Sequence, residues 1–149
     1  MILPDFKVFP RDGRVLGIDW GLRRIGVAVS DPSRQFVFVR DVISVPRGAE
    51  NHADLVADMA MRENAVGIIV GLPLYPDGSA SDTTKMVRAF IDKLAEKTDL
   101  PICTIEENLT SVSAQEDMGR VRVRDLKARL DSESARVILE NAIAMINRT

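Results

Sequence analysis

VLGIDWGLRRIGVAVSD, residues 15–31, decides the fold. Its first five residues are an apolar run between Gly13 and Gly21, the pattern of a strand buried on both faces. IGVAVSD (25–31) repeats that pattern after the short link Gly21-Leu22-Arg23-Arg24, so the pair reads as a β-hairpin. FVFVRDVISV (36–45), rich in β-branched and aromatic residues, adds a third strand after the turn Asp31-Pro32-Ser33. Three antiparallel strands open the chain.

The period then changes. Leu55, Val56, Met59 and Ala60 recur at helical spacing over about 50–63, VGIIV (66–70) returns to a buried strand, and Gly71-Leu72-Pro73 is expected to end it. Val87, Phe90, Ile91 and Leu94 mark a helix over about 79–97, and ICTIE (102–106) is a fifth strand opened by Pro101. Helical patterns follow over about 111–118 and 131–146. The order β-β-β-α-β-α-β-α-α implies an α/β fold with a five-stranded mixed sheet: an antiparallel hairpin half, then two crossovers that require parallel strands. No repeat, low-complexity tract or long linker divides the chain, so residues 14–149 are read as one domain and residues 1–13 as an N-terminal extension.

Composition narrows the chemistry. The 149 residues are 46% hydrophobic and 28% charged, an ordinary globular balance, and the net charge of −2 means that any nucleic acid must be held by a local basic patch. Cys103 is the only cysteine and His52 the only histidine, which excludes a Cys/His zinc set and an internal disulfide and fits a reducing compartment. A His-dependent nucleophile would have to use His52, which lies in a polar helical stretch. No apolar run nears the roughly 20 residues that cross a bilayer, so no membrane partner and a cytoplasmic location are expected.

Acids stand where strands end. Asp19 closes the first strand between Gly17 and Gly21, placed either to bind a cation or to accept turn N–H groups. Glu106 and Glu107 close the fifth strand, and because successive strand residues point to opposite faces, at most one shares a face with Asp19. Asp131 lies four, seven and eleven residues before Ala135, Ile138 and Ala142, on the apolar side of the last helix, where it is either that helix's N-cap or a third member of the cluster. Carboxylates gathered without histidine or cysteine suit Mg²⁺ or Mn²⁺, and two such ions about 3.5–4 Å apart hydrolyse phosphodiesters without a protein nucleophile. Arg23 and Arg24 beyond the first strand, and the run Arg120, Arg122, Arg124, Lys127 and Arg129 just before Asp131, are candidates to grip a phosphate backbone. The loop GLPLYPDGS (71–79) leads towards a helix whose free N–H groups are a further candidate for phosphate, with Ser79 as a plausible N-cap.

GIDWGLRRIGVAVSD (17–31), GLPLYPDGS (71–79) with VRAF (87–90), EENLTS (106–111) and DSESARVILE (131–140) together resemble the four signature segments of the YqgF/RuvX family. The resemblance runs from about Arg14 to Ile146. It implies an RNase H-like fold with the first strand central and helices on both sides. It also implies a nuclease acting in 5′-end maturation of the small-subunit ribosomal RNA precursor, or on Holliday junctions. The family's three metal-binding acids fall on Asp19, Glu107 and Asp131. Two departures bear on substrate contacts: Asn108 stands where the family's Asp-Glu-Arg-Leu-Thr motif has arginine, and Tyr75 replaces the asparagine of Gly-Leu-Pro-Leu-Asn.

The expected function is therefore a nuclease using Mg²⁺ or Mn²⁺, with precursor rRNA as substrate, a ribosomal precursor particle as partner, branched DNA as second substrate, and a monomeric or homodimeric state. Two alternatives differ in kind. A non-catalytic RNA- or ribosome-binding module would use the basic run alone. An ATP-binding domain of the actin, Hsp70 and sugar-kinase type resembles Gly17-Ile18-Asp19-Trp20-Gly21, but those proteins clamp nucleotide between two such domains and this chain holds one.

Overall fold

The computed structural model describes residues 1–108 and 123–149, with side chains described for 1–107 and 133–149. Five strands, β1 (Val15–Asp19), β2 (Arg24–Ser30), β3 (Val37–Ser44), β4 (Gly67–Leu74) and β5 (Ile102–Asn108), form one sheet in the order β3-β2-β1-β4-β5. β1–β2 and β2–β3 pair antiparallel, whereas β1–β4 and β4–β5 pair parallel. The mixed sheet with a central first strand is thus as expected. Helices α1 (His52–Arg62) and α2 (Asp82–Lys97) provide the two crossovers and cover one face, and α3 (Val123–Asn147) covers the other.

Both faces of the central strands are apolar because both are covered. Leu16, Ile18, Ile68 and Val70 enter the core beneath α1 and α2, while Val15 and Ile69 meet Ala135, Ile138, Leu139 and Ala142 of α3. Each such buried aliphatic side chain contributes about 1.5–3 kcal/mol. α1 ends in a Schellman turn: Asn64 takes the left-handed conformation (φ 56°), and the Ala65 N–H returns to the Ala60 carbonyl at 3.0 Å.

Three boundaries depart from the sequence reading in ways that bear on the site. β4 does not stop at Gly71-Leu72-Pro73 but runs to Leu74, pairing Gly71 with Ile105 and Pro73 with Glu107. β1 has ended by then, so no neighbour on that side needs the N–H that Pro73 lacks, and the Thr84 hydroxyl donates to its carbonyl instead. α2 begins at Asp82, capped by Ser81 and not by Ser79; Ser81 and Thr84 form a reciprocal capping box. Ser79 instead closes the Asp77 turn, its N–H and hydroxyl donating to Asp77 Oδ1 at 2.9 and 2.6 Å. α3 starts two turns before the expected 131, since Arg, Leu, Lys and Ala favour helix and no Gly or Pro interrupts 123–147. The helix expected over 111–118 lies outside the described residues.

The first thirteen residues join the body of the fold. Phe6 and Phe9 are buried on the α3 side, Ile2 forms a parallel bridge to Ile102, and the Leu3 N–H donates to the Ile102 carbonyl at 2.9 Å.

Candidate active site

β1 turns its residues alternately to the two layers, so Val15, Gly17 and Asp19 face α3. A β-carbon on Gly17 would lie 2.8 Å from Leu139 Cβ and 3.1 Å from the Ala135 carbonyl oxygen. The glycine therefore lets α3 settle directly on β1, two residues before the acid. The pair Ile18–Val70 brings Asp19 alongside Gly71 at the next position. Gly71 in turn opens the space that Glu107 fills: a β-carbon there would meet Glu107 Oε2 at 2.7 Å and Ile138 Cδ1 at 2.5 Å.

The glutamate ambiguity is thereby resolved. Cys103 and Ile105 belong to the α3 side of β5, so alternation sends Glu107 there too, while Glu106 faces the other way and is exposed. Asp19 and Glu107 thus flank Gly71 on one face, at the carboxyl ends of β1, β4 and β5. Burial pushes the Glu107 carboxyl up to about 7. A cleft of about 220 Å³ adjoins it, lined by Leu74, Tyr75, Pro76, Gly78, Glu106 and Glu107.

The third acid is fixed only by its place on the helix. The carboxyl end of α3 lies where Arg11 Nη1 donates to the Ile146 carbonyl at 2.9 Å, and the Ala135 carbonyl and the Ile138 side chain lie over Gly17 and Gly71. Position 131 is one turn before Ala135. It lies inside α3, not at its N-cap, because the helix begins at Val123. The Asp131 side chain is outside those described, and among the described residues no group of three His, Cys, Asp or Glu gathers.

Of the basic candidates, Arg24 shares the face of Asp19 by its place on β2 beyond Gly26, the residue paired with Asp19; Arg23 is exposed in the preceding turn. Arg124, Lys127 and Arg129 are positions on the first turns of α3, not of a loop, and Arg120 and Arg122 lie outside the described residues. The 71–79 loop does not open α2 directly: Leu74 bridges to Ala80, and the Ser81 hydroxyl already accepts the Thr84 N–H at 3.1 Å. Neither lone nucleophile candidate is poised for catalysis. His52 is buried, with Nε2 2.9 Å from the Leu22 carbonyl and its ring 5.1 Å from that of Trp20. Cys103 is buried, its thiol donates to the Asp5 carbonyl, and burial pushes its pKa up to about 11.

Sequence reasoning missed Gly71 and Ile138, the floor and wall that hold Glu107. The glycine was visible, but only the strand's continuation past it reveals which carboxylate it admits.

A model of the RuvX family, described as Holliday junction resolvase, matches residues 13–145. The chain belongs to this family. A protein of Maridesulfovibrio salexigens named "Putative pre-16S rRNA nuclease" is 35% identical over 133 residues, covering 88% of this chain and 98% of that protein. One of Nitratidesulfovibrio vulgaris with the same name is 38% identical over 130 residues, covering 86% and 91%. Among solved structures, Thermus thermophilus RuvC in complex with a Holliday junction substrate superposes with a TM-score of 0.50 at 12% identity over 90% of each chain. At that identity the likeness speaks for the fold alone, which is RNase H-like.

Proposed function

We propose that this protein is a divalent-cation-dependent nuclease that hydrolyses phosphodiester bonds in precursor 16S rRNA. The observation that carries the reading is the Glu107 carboxyl set over Gly71 beside Asp19, on one face at the strand ends. Family membership supports a nuclease, and the names of its relatives support this substrate.

The donors fit Mg²⁺ or Mn²⁺. They are carboxylate oxygens only, and one of them belongs to a half-buried carboxyl whose charge is costly without a nearby cation. Asp19, Glu107 and Asp131 would hold the ions. Bound there, such ions would supply Lewis acidity, activating a water for attack and neutralising charge on the leaving oxygen. Gly71 gives Glu107 room to reach the site, where its carboxylate would serve as a ligand. Arg23 and Arg24 at the β1–β2 turn, with Arg120, Arg122, Arg124, Lys127 and Arg129, hold the phosphate backbone. Action in the cytoplasm on a ribosomal precursor particle belongs to the same reading.

Purified protein is incubated with a precursor rRNA fragment with and without Mn²⁺, beside Asp19→Asn. Cleavage by the wild type alone, and only with Mn²⁺, is expected; equal cleavage by a folded Asp19→Asn variant defeats the assignment. A four-way DNA junction is the second substrate, favoured by the family's description, and its symmetric cleavage would require a two-fold homodimer, whereas end-trimming suits a monomer. Binding without Mn²⁺-dependent products would leave a non-catalytic RNA-binding module.

A further inference from the structure

On the opposite face of the sheet end from Glu107, a pocket of about 280 Å³ is lined by Trp20, Leu22, His52, Met86, Phe90 and Lys93, among others. Trp20 directly follows Asp19, so consecutive residues of one chain segment serve the acid site and this pocket.

Three observations mark the pocket as more than a packing gap. The Trp20 Nε1–H, in the pocket lining, is buried with no hydrogen-bond partner among the described residues. Buried polar atoms of this kind are rare in folded proteins unless something pairs with them. Leu22 and Met86 are 49% and 47% exposed beside Trp20, which leaves apolar surface open at the mouth. Glu50 and Lys93 place one charge of each sign at the rim.

An aromatic wall, an apolar mouth and one orphan donor match the chemistry of a planar heterocycle with an acceptor atom on its edge. We propose that this pocket receives an unpaired nucleobase of the nucleic-acid strand, beside the proposed cleavage site at Asp19. The proposal rests on the nuclease reading for its ligand. Its consequence is selection for single-stranded or unpaired segments, because a base inside a duplex cannot enter. Stacking supplies affinity with little dependence on base identity, and Lys93 is positioned at the rim for the adjoining phosphate.

Trp20 is the only tryptophan of the chain, so its emission reports the pocket directly. The full-length protein is titrated in EDTA, where cleavage is blocked, with a fluorescently labelled single-stranded oligonucleotide and with an abasic strand of equal length and charge. Anisotropy follows strand binding, and tryptophan emission follows the pocket. The base-bearing strand is expected to quench Trp20 saturably and to bind about tenfold more tightly than the abasic one, within the range of a single base–aromatic stack. Ala89→Phe, which fills the pocket from α2, is expected to abolish the quench and to bring both strands to the weaker affinity. Strand binding with unchanged or equal tryptophan emission for the two strands, or an Ala89→Phe variant that titrates like the wild type, overturns the pocket while leaving the nuclease reading intact. Absence of strand binding in EDTA overturns the pocket, whose stacking needs no cation; the nuclease reading stands or falls separately on Mn²⁺-dependent cleavage.

Discussion

Two glycines on β4, four residues apart and on the same face, receive opposite kinds of neighbour. Over Gly67, the place of a side chain is taken by the ring of Phe9, brought in by the N-terminal segment; over Gly71 it is taken by the Glu107 carboxyl. Both lie beneath α3, and both leave room that the fold fills from another element. At the amino end the filling is hydrocarbon and serves only cohesion. At the carboxyl end it is a half-buried ionisable group beside a cleft, the kind of environment in which perturbed carboxyls cluster at functional sites.

The largest effect should come from emptying the apolar end. Phe9 is 2% exposed, packs edge-on against Phe6 at 6.2 Å and lies under the Arg34 guanidinium at 5.8 Å. Phe9→Ala should cost about 3–5 kcal/mol and lower Tm by about 10 °C or more. Its cleavage rate per folded molecule should stay near that of the wild type, because the acids lie at the other end of β4. A Tm within a degree or two of the wild type would mean that residues 1–13 are an appendage after all.

Asp19→Asn inverts that pattern. Removing one charged ligand from the proposed cation site should lower Mn²⁺-dependent cleavage at least about a hundredfold, equivalent to about 3 kcal/mol of barrier, with little change in Tm. Kinetics on a precursor rRNA fragment, read beside thermal unfolding, separate the two mutants.

The glycines themselves give the sharper comparison. Gly67→Ala and Gly71→Ala should each cost about 1–3 kcal/mol through overpacking. Only Gly71→Ala pushes on Glu107, so only it should lose cleavage beyond its loss of stability. Equal activity in the two variants, after correction for the folded fraction, would break the link between Gly71 and the site.

Much of this was legible in the residues. Gly17 and Asp19 stand out because a charged residue ends an otherwise apolar strand, and the change from period two to period 3.6 gives the element order. Less legible was which face each acid takes. In β1, β4 and β5 both faces are apolar, so alternation of hydrophobicity cannot say whether Glu106 or Glu107 turns toward α3; the pairing register says it. Phe6 and Phe9 were hidden differently, in a segment with Pro4 and Pro10 and no periodicity, where only tertiary packing shows that the aromatics are core. The early start of α3 was hidden because its first turns read as a charge run, although Val123, Leu126 and Leu130 recur within it at helical spacing.

The smallest predicted effect bears most directly on what the buried carboxyl is for. Folding raises the Glu107 pKa from 4.5 to about 7, so between these values the folded chain holds a proton that the unfolded chain has released. Stability must therefore fall as pH rises through this window and level off above it, the reverse of a salt-bridged carboxylate. Allowing for partial exposure, the loss is about 1–2 kcal/mol, or a few degrees in Tm. Glu107→Gln removes the titration, so in EDTA the variant should match the wild type near pH 4.5 and exceed it near pH 8. Mn²⁺ added at pH 8 should raise the wild type preferentially, since a cation stabilises the charge that the fold otherwise opposes. Thermal unfolding curves that stay parallel across that pH range would show that the carboxyl over Gly71 carries no such cost, and would remove the physical reason for a cation to sit there.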